Sequence, residues 1–213
     1  MKLKVTPYLE QRENWVKQGR VILAQFDSES IIVYQAYRPS IGHFAAKKGY
    51  FGGDFKMSRM TWIKPNFLWM MYRSGWGTKQ GQEVILAIRL KRSAFYFLLA
   101  QAVHSTYNRE LYQSKQEWQK AVARSNVRLQ WNPDRSPRGG KLQRRAIQLG
   151  LRGDIVAKYA KEWILDIEDI SDFVTQQREN AISDDYSALV TPTEYIYPVE
   201  NAKIIENLRL TIV

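Results

Sequence analysis

Short strand-like runs and short helical stretches alternate along the chain. Residues 20–37, RVILAQFDSESIIVYQAY, predict two strands around a turn at Asp27–Ser30, because β-branched and aromatic residues dominate both runs. Residues 83–90, EVILAIRL, form a continuous apolar run of the kind found in a strand buried on both faces. Further short strands are predicted at KMSRMTW, VRLQW and AIQLGL.

Helices are predicted where apolar residues recur at helical spacing between capping signals. Pro39 and Ser40 open the first helix, with Ser40 as its N-cap, and Gly49 closes it. The second begins at Pro65 and stops at Gly75. Amphipathic or capping patterns predict further helices at residues 108–126, at 153–163 with Asp154 as the cap, and at 172–181.

The secondary structure of two segments can be interpreted in two ways, but the order of the other elements is enough to indicate a fold class. SAFYFLLAQAVHS fits a helix or a strand, and ILDIEDIS fits a strand or the start of the next element. NPDRSPRGG is predicted to be a loop, and the tail from Ser183 to hold short extended pieces. Numerous strands with short helices predict an α+β or mixed α/β fold, and 213 residues predict a single domain.

The composition excludes several classes of protein. The chain is 45% hydrophobic and 25% charged, which is ordinary for a globular domain. No apolar run approaches the roughly 20 residues that span a bilayer, and the first residues lack the apolar core of a signal peptide. With no cysteine and two histidines far apart, neither a disulfide framework nor a metal site is expected. We therefore expect a soluble cytoplasmic protein without a metal.

The charge of +11 is unevenly distributed. Residues 124–152 hold eight Lys or Arg and one acid, Asp134, whereas residues 162–206 hold eleven acids against Arg178 and Lys203. A basic region of this kind attracts polyanions such as nucleic acid. The alternative is an ordinary solvated surface.

Two polar or aromatic clusters follow predicted strands in the first half of the chain. In YQAYRPS, Arg38 could clamp a phosphate, or it could be a surface arginine before a proline turn. In MSRMTWIKPNFLWMMYR and the residues after it, aromatic rings could stack on a base or a nicotinamide, or could pack in the core. Those rings are Trp62, Phe67, Trp69 and Trp76.

A third cluster, LQWNPDRSPRGGKLQRRAIQLGLRG, combines a strand with a basic, glycine-rich segment. Asp134 is its single acid. Such a carboxylate either organises the surrounding arginines through ion pairs or is a reactive group held by them. A polar loop of this composition is a natural place for binding.

The strings YQAYRPSIGHFAAKKGYF, RMTWIKPNFLWMMYRSGW, LQWNPDRSP, RAIQLGLRG and WILDIEDIS resemble a family catalogued as domain of unknown function 4291. The resemblance covers nearly the whole chain. The pattern also resembles the ADP-ribosyltransferase fold, which implies split antiparallel sheets flanked by short helices. It implies a core at about residues 20–175 with a C-terminal extension, and NAD as a substrate.

In that fold the first strand carries a His or Arg beside a Tyr, and a late strand carries a catalytic Glu. Here Tyr34 precedes Gln35 on the first strand, Thr61 and Trp62 end the second, and the third is EVILAIRL. The late strand resembles AIQLGL, preceded by a recognition loop at residues 132–145. This chain has Gln35 in place of the His or Arg and no Glu in the late strand.

The resemblance implies an NAD-dependent transfer of ADP-ribose to single-stranded DNA or RNA. The candidate catalytic residues are Gln35, Asp134 and Gln148, the latter two as substitutes for the missing Glu. The candidate NAD-binding residues are Tyr34, Tyr37, Arg38, Thr61, Trp62, Tyr72 and Arg73. The candidate nucleic-acid-binding residues are Trp131, Asn132, Arg135, Arg138, Lys141, Arg144, Arg145 and Arg152.

Two alternatives remain open at this point. One is an enzyme similar to the RNA 2′-phosphotransferases on the same fold, in which Arg38, Arg73 and Arg152 would carry the site in place of a carboxylate. The other is a non-catalytic nucleic-acid-binding module, which needs only the basic residues and aromatic stacking.

Overall fold

A computed structural model describes residues 3–183 and 185–212 of the protein. Its strands are β1 (Val5–Pro7), β2 (Gly19–Arg20), β3 (Leu23–Ala24), β4 (Ser30–Tyr37), β5 (Thr61–Ile63), β6 (Val84–Lys91), β7 (Ala102–His104), β8 (Val127–Arg135), β9 (Lys141–Leu151), β10 (Ile164–Asp169), β11 (Val190–Pro192) and β12 (Tyr195–Ile196). Its helices are α1 (Tyr8–Asn14), α2 (Pro39–Lys48), α3 (Phe67–Ser74), α4 (Arg92–Gln101), α5 (Lys115–Arg124), α6 (Asp154–Lys158), which continues as a π-helical turn at Tyr159–Trp163, α7 (Ser171–Ala181) and α8 (Ala202–Leu208). The α+β class is confirmed.

Two larger sheets form the frame of the molecule. The first is antiparallel, with strand order β10-β6-β4. The second is mixed: β9 pairs antiparallel with β8 and β5 and parallel with β2, and β7 pairs parallel with β8. Two small antiparallel pairs, β1 with β11 and β3 with β12, join the beginning of the chain to its end.

Strands β4 and β6 are buried on both faces, as their continuous apolar sequences predict. Val33 on β4 and Ile88 on β6 belong to one hydrophobic cluster, while Ile32 and Ile85 belong to a second cluster on the opposite face. Successive residues of a strand point to opposite faces, so these strands supply both clusters. The first sheet therefore lies between the two halves of the core.

In the described part of the chain, one isolated backbone bridge joins the two larger sheets, between Tyr34 on β4 and Lys64 just after β5. The Tyr34 amide donates a hydrogen bond to the Lys64 carbonyl at 2.7 Å. Beyond this bridge β4 continues in the first sheet, pairing with β6 as far as Tyr37, while β5 pairs with β9 in the second. The ends of β4 and β5 beyond the bridge are therefore free to border a cleft.

Helix α2 lies close to β6 and is closed by a glycine as predicted. Gly49 adopts a left-handed conformation, with φ of 74°, and its amide donates to the Ala45 carbonyl. A Cβ atom at Gly42 would lie 2.5 Å from the Cβ of Val84, so only glycine permits this approach of helix to strand. The prediction of Ser40 as N-cap is wrong: Arg38 is the extended residue before the helix, because Pro39 occupies its first turn.

Several predicted boundaries are also wrong. The predicted loop at residues 132–140 is strand as far as Arg135, and only Ser136–Gly140 forms the turn, since β8 continues to pair with β9 through an irregularity after Pro133. Of the two segments with open interpretations, 93–105 forms nearly all of α4 followed by β7, and ILDIEDIS is a strand, β10, as one of its interpretations predicted. The predicted helix at 108–126 is shorter, Gly153 rather than Asp154 is the N-cap of α6, and the tail contains helix α8.

The C-terminal segment holds α3 in place through one buried carboxylate. The amide of Phe67 donates to Glu194 at 2.6 Å, and the side-chain amide of Asn66 donates to it at 3.0 Å. The backbone of Glu194 is itself held by Gln11 and Trp15 from the N-terminal segment. Both ends of the chain therefore meet at the beginning of α3.

No helix among residues 3–183 and 185–212 has the length and apolar character needed to cross a bilayer.

Replacing Glu194 by Ala should lower the free energy of unfolding by about 2–4 kcal/mol, because two donors at the start of α3 would be buried without an acceptor. Urea denaturation measures this change. Glu200→Ala, at an exposed position near the same end of the chain, should change the stability by less than about 0.5 kcal/mol. A loss at Glu194 no larger than that of the control would contradict the role of this carboxylate.

Candidate functional site

A cleft opens where β4 and β5 diverge beyond the bridge at Tyr34 and Lys64. It consists of cavities of about 360 and 180 Å³ that share Tyr37, Met60 and Thr61 in their walls. Together they fall within the range of small-molecule sites, roughly 300–1,000 Å³. The smaller cavity is also bordered by Met70 and Arg73 of α3.

A network of uncharged polar groups lies at the base of the cleft. Gln35, which is 3% exposed, donates through its amide nitrogen to the hydroxyl of Thr61 at 2.6 Å and to the carbonyl of Trp62 at 3.1 Å. The hydroxyl of Tyr159 donates to the amide oxygen of Gln35 at 2.7 Å. Because both ends of the amide have partners, its orientation is fixed.

Thr61 connects this network to the wall that both cavities share. Its hydroxyl oxygen lies 2.8 Å from the hydroxyl of Tyr37. Burial raises the pKa of Tyr37 and raises that of Tyr159 well above the ordinary tyrosine value, so both phenols keep their protons. Gln35, Thr61, Tyr37 and Tyr159 therefore form a preorganised set of uncharged hydroxyl and amide dipoles at the base of the cleft.

Lys64 is a buried amine in the smaller cavity. It is 7% exposed, and its ammonium donates to the carbonyl of Trp62 at 3.3 Å. Burial, followed by repulsion from Arg73, lowers the pKa of Lys64 to about 7. Near neutral pH this side chain is divided between its charged and neutral forms, which suits a group that exchanges protons with a ligand.

The rest of the lining is strongly cationic. Arg38, Lys56 and Arg59 border the larger cavity together with one acid, Asp54, which forms an ion pair with Arg38 at 3.0 Å. Lys64 and Arg73 add further positive charge at the smaller cavity. The arrangement favours a ligand with negative charge, such as a phosphate or pyrophosphate.

A protein-family model matches a segment of the chain that contains every residue of the cleft. The model described as "Domain of unknown function (DUF4291)" matches residues 21–197. The chain belongs to that family. No curated protein matches the chain.

The DUF4291 segment does not bring all of the sequence-predicted NAD-binding residues to the cleft. Tyr37, Arg38, Thr61, Trp62 and Arg73 line it. Tyr34 does not: as the neighbour of Gln35 on β4 its ring points to the opposite face, where it is fully buried 5.5 Å from the ring of Phe67. The strand alternation therefore separates two residues that the sequence pattern placed together.

Tyr72 also lies outside the cleft lining. It is on α3 next to Arg73, but its ring stacks on Trp69, and the guanidinium of Arg135 lies over the ring, 3.7 Å from its centre. A Cβ atom at Gly139 would lie 3.3 Å from the same ring. Tyr72 therefore joins the hairpin between β8 and β9 to the end of α3.

Gln148 and Asp134 do not converge with Gln35. In the second sheet Gln148 shares the face of Trp62, opposite to the face of Thr61, and its amide donates to Gln130 at 2.5 Å. Asp134 is 1% exposed and accepts hydrogen bonds from the side chain of Arg144 at 2.6 Å and from the amide of Arg135 at 2.7 Å. Neither lines the two cavities.

Asp134 and Arg144 form a buried ion pair within the DUF4291 core. Burial raises the pKa of Asp134, and the charge of Arg144 opposes this shift. The guanidinium of Arg144 lies 4.8 Å from the centre of the Trp15 ring. Of the two interpretations of this acid in the sequence, the contacts fit an organiser of neighbouring arginines.

Several other residues assigned to nucleic acid have partners inside the protein. The indole of Trp131 donates to the Leu208 carbonyl at 2.9 Å. Asn132, half-buried next to it on β8, is an exception, because its buried side-chain nitrogen has no hydrogen-bond partner among the described residues. Arg152 donates to the carbonyls of Ala123 and Ser125, at 2.7 and 3.0 Å, at the end of α5.

The exposed cations of the predicted set are on the hairpin of β8 and β9. Arg138 is exposed near the turn and donates to the Ile182 carbonyl at 2.5 Å. Lys141, Gln143 and Arg145 alternate along β9 and are all exposed, so they lie on one side of the strand. This stripe is the part of the predicted surface that a polyanion could reach.

Sequence reasoning did not find Lys64 or Tyr159. Lys64 follows the apolar end of β5 and precedes Pro65, and a lysine enclosed by apolar residues is a local signal that could have drawn attention to it. Tyr159 has no such signal, because it reaches Gln35 from a helical turn 124 positions away in the sequence. Within residues 3–183 and 185–212 no group of acidic or histidine side chains is arranged to hold a metal ion.

Lys64→Met should stabilise the protein at pH 6, on the order of 1–3 kcal/mol, because it removes a buried ammonium. The pKa of Lys64 is about 7 when folded and 10.5 ordinarily, so between these values the unfolded chain binds more protons. The wild type therefore gains stability as the pH rises through this window, and the advantage of the variant shrinks. Urea denaturation at several pH values measures the difference, and an advantage that stays constant would contradict the burial of a titrating amine.

Asp134→Ala should destabilise the protein by about 3–5 kcal/mol, because Arg144 would remain buried without its partner. The double variant Asp134→Ala/Arg144→Met should recover part of this loss, since the orphaned charge is removed with its partner. Thermal and urea denaturation measure both. A single variant that keeps its stability would contradict the structural assignment.

Proposed function

We propose that the cleft binds NAD and that the protein transfers its ADP-ribose to a single-stranded nucleic acid, as the resemblance to the ADP-ribosyltransferase fold implies. The observation that supports this most is the position of the Gln35–Thr61–Tyr37 network in a cationic cleft between the ends of two diverging strands. The resemblance assigns the nicotinamide half of NAD to this same pair of strands.

The charges of the lining fit the two halves of NAD differently. Arg38, Arg59 and Lys56 can neutralise the pyrophosphate, since they outnumber the one acid beside them. At the base of the cleft, the uncharged hydroxyl and amide groups of Gln35, Thr61 and Tyr159 suit the carboxamide and ribose hydroxyls of the nicotinamide riboside.

The reaction breaks the bond between the nicotinamide nitrogen and C1 of the ribose, and the electron pair leaves with nicotinamide. A nucleophilic oxygen or nitrogen of the acceptor forms the new bond to C1 and loses a proton. Lys64 in its neutral form is a group of the cleft that can take that proton. The fixed dipoles of Gln35 and Thr61 would hold the ribose in position without needing to reorganise.

The exposed stripe on the hairpin supports nucleic acid as the acceptor. Lys141 and Arg145 belong to this hairpin, and its turn packs against the end of α3, where the indole of Trp76 donates to the Pro137 carbonyl at 3.1 Å. Arg73 of α3 lines the cleft. A strand bound along the hairpin could therefore follow positive charge towards the cleft.

A second candidate is an enzyme similar to the RNA 2′-phosphotransferases. The observation that favours it is the lining of the cleft, in which Arg38 and Arg73 are present and the one carboxylate, Asp54, is bound to Arg38. Arg152, the third arginine of that hypothesis, caps α5 and does not line the cleft.

Incubation with NAD labelled in its adenylate half and single-stranded DNA or RNA should transfer label to the nucleic acid and release nicotinamide. Thr61→Val should lower kcat/KM for NAD by about 10–100-fold, because the hydroxyl that joins Gln35 to Tyr37 is lost at nearly constant volume. Thr175→Val, at an exposed position on α7, is the matched control and should change it less than about twofold.

RNA with an internal 2′-phosphate is included as a further substrate. Turnover of that RNA alone would favour the second candidate. Absence of NAD binding, nicotinamide release and label transfer with every acceptor would overturn the proposal. Salt-dependent binding of nucleic acid without any NAD turnover would instead indicate a non-catalytic binding module.

A further inference from the structure

A separate cavity of about 440 Å³ lies between β2, β8 and the segment that follows β7. None of the residues that line it borders the cleft. Its lining is mostly polar and includes Arg20, Ser105, Thr106, Asn108, Arg109 and Gln130.

Arg20 is the unusual residue of this cavity. Its backbone is fixed, because β2 pairs with β9 at Arg145 and its amide donates to the Thr211 hydroxyl at 2.9 Å. Its guanidinium has no hydrogen-bond or ion-pair partner in residues 3–183 and 185–212, and its Nε is buried. Arg144 and Arg152, by contrast, both donate to internal oxygens.

The charges around Arg20 make its unpartnered guanidinium still less favourable. Burial lowers the pKa of Arg20, and the charges of Arg209 and Arg145 lower it further. Glu110 is the acid that opposes them, and it is already paired with Arg209. A half-buried cation that lacks a partner and faces further cations is costly unless an anion is bound there.

We propose that this cavity binds the phosphate group of a nucleotide unit, supplied either by a free nucleotide or by a nucleic-acid strand. Arg20 and Arg109 provide the cationic donors. The side-chain oxygen of Asn108 accepts a hydrogen bond from the backbone amide of Glu110 at 2.9 Å, which leaves the NH₂ group of Asn108 as a further donor. The aromatic residues Tyr107 and Trp131 in the lining offer apolar surface for the base.

The proposal does not depend on the use of NAD. The cleft is bordered by β4, β5 and α3, whereas this cavity is bordered by β2 and β8. Variants of the cavity should leave NAD binding at the cleft unchanged. Failure of one proposal therefore leaves the other open.

The test measures binding of AMP, adenosine and a short single-stranded DNA by isothermal titration calorimetry at low salt. AMP or the DNA should bind to the wild type, and adenosine should bind much more weakly because it lacks the phosphate. Arg20→Gln should weaken binding by at least about tenfold, since a charge-assisted hydrogen bond to the phosphate is lost. It should not lower Tm, because a repelled, unpartnered cation is removed.

Arg178→Gln is the matched control, because it removes the same charge from an exposed position on α7. Weakened binding of AMP alone identifies a free nucleotide as the source, and weakened binding of the DNA alone identifies a strand. Arg109→Gln, at an exposed position, should give the same pattern and keeps the test valid if Arg20→Gln folds poorly. Binding that neither variant weakens beyond the control, or no binding of either ligand to the wild type, would overturn the proposal.

Discussion

The isolated backbone bridge between Tyr34 and Lys64 determines where the two larger sheets separate, and the cleft depends on that separation. Two sheets that shared a longer run of backbone hydrogen bonds would leave no space between β4 and β5. Here the strands share one bridge, and beyond it the side chain of Gln35 replaces further backbone pairing by donating to the Trp62 carbonyl. A side chain can span a wider gap than two backbones can, so the sheets separate while their polar groups remain satisfied. The cleft is a consequence of this substitution.

The ends of the chain then fix the remaining wall of the cleft. Helix α3 borders the smaller cavity through Met70 and Arg73, and the beginning of α3 is held by Glu194 from the C-terminal segment. That segment is in turn bound by Gln11 from the N-terminus. Residues near both ends of the chain thus set the position of a helix that is distant from both in the sequence. A site assembled in this way depends on the whole fold rather than on one local motif.

The sequence predicted those features that have local causes. The apolar run of β6 and the left-handed Gly49 after α2 were found because a few adjacent residues determine them. The face on which a side chain lies was not found, since Tyr34 and Gln35 are neighbours in sequence but opposite in the strand. Hydrogen bonds between residues far apart in the sequence could not be predicted either, since no local pattern links Tyr159 to Gln35. The class of fold and several residues of the cleft were therefore predictable, while the assembly of the network was not.

The net positive charge does not by itself show which cations can bind a ligand, because some arginines already donate to oxygens inside the protein. A count of basic residues at 124–152 treats Arg144, Arg152 and Arg145 alike, yet the first two are bound to internal oxygens and only Arg145 is exposed. Arginines with satisfied guanidinium groups stabilise the fold and have little left to offer a ligand. The cations available for binding are those whose donors lack internal acceptors, and Arg20 is one of them although it lies outside the basic stretch. Polyanion binding in this protein should therefore follow unpartnered cations rather than the density of basic residues along the chain.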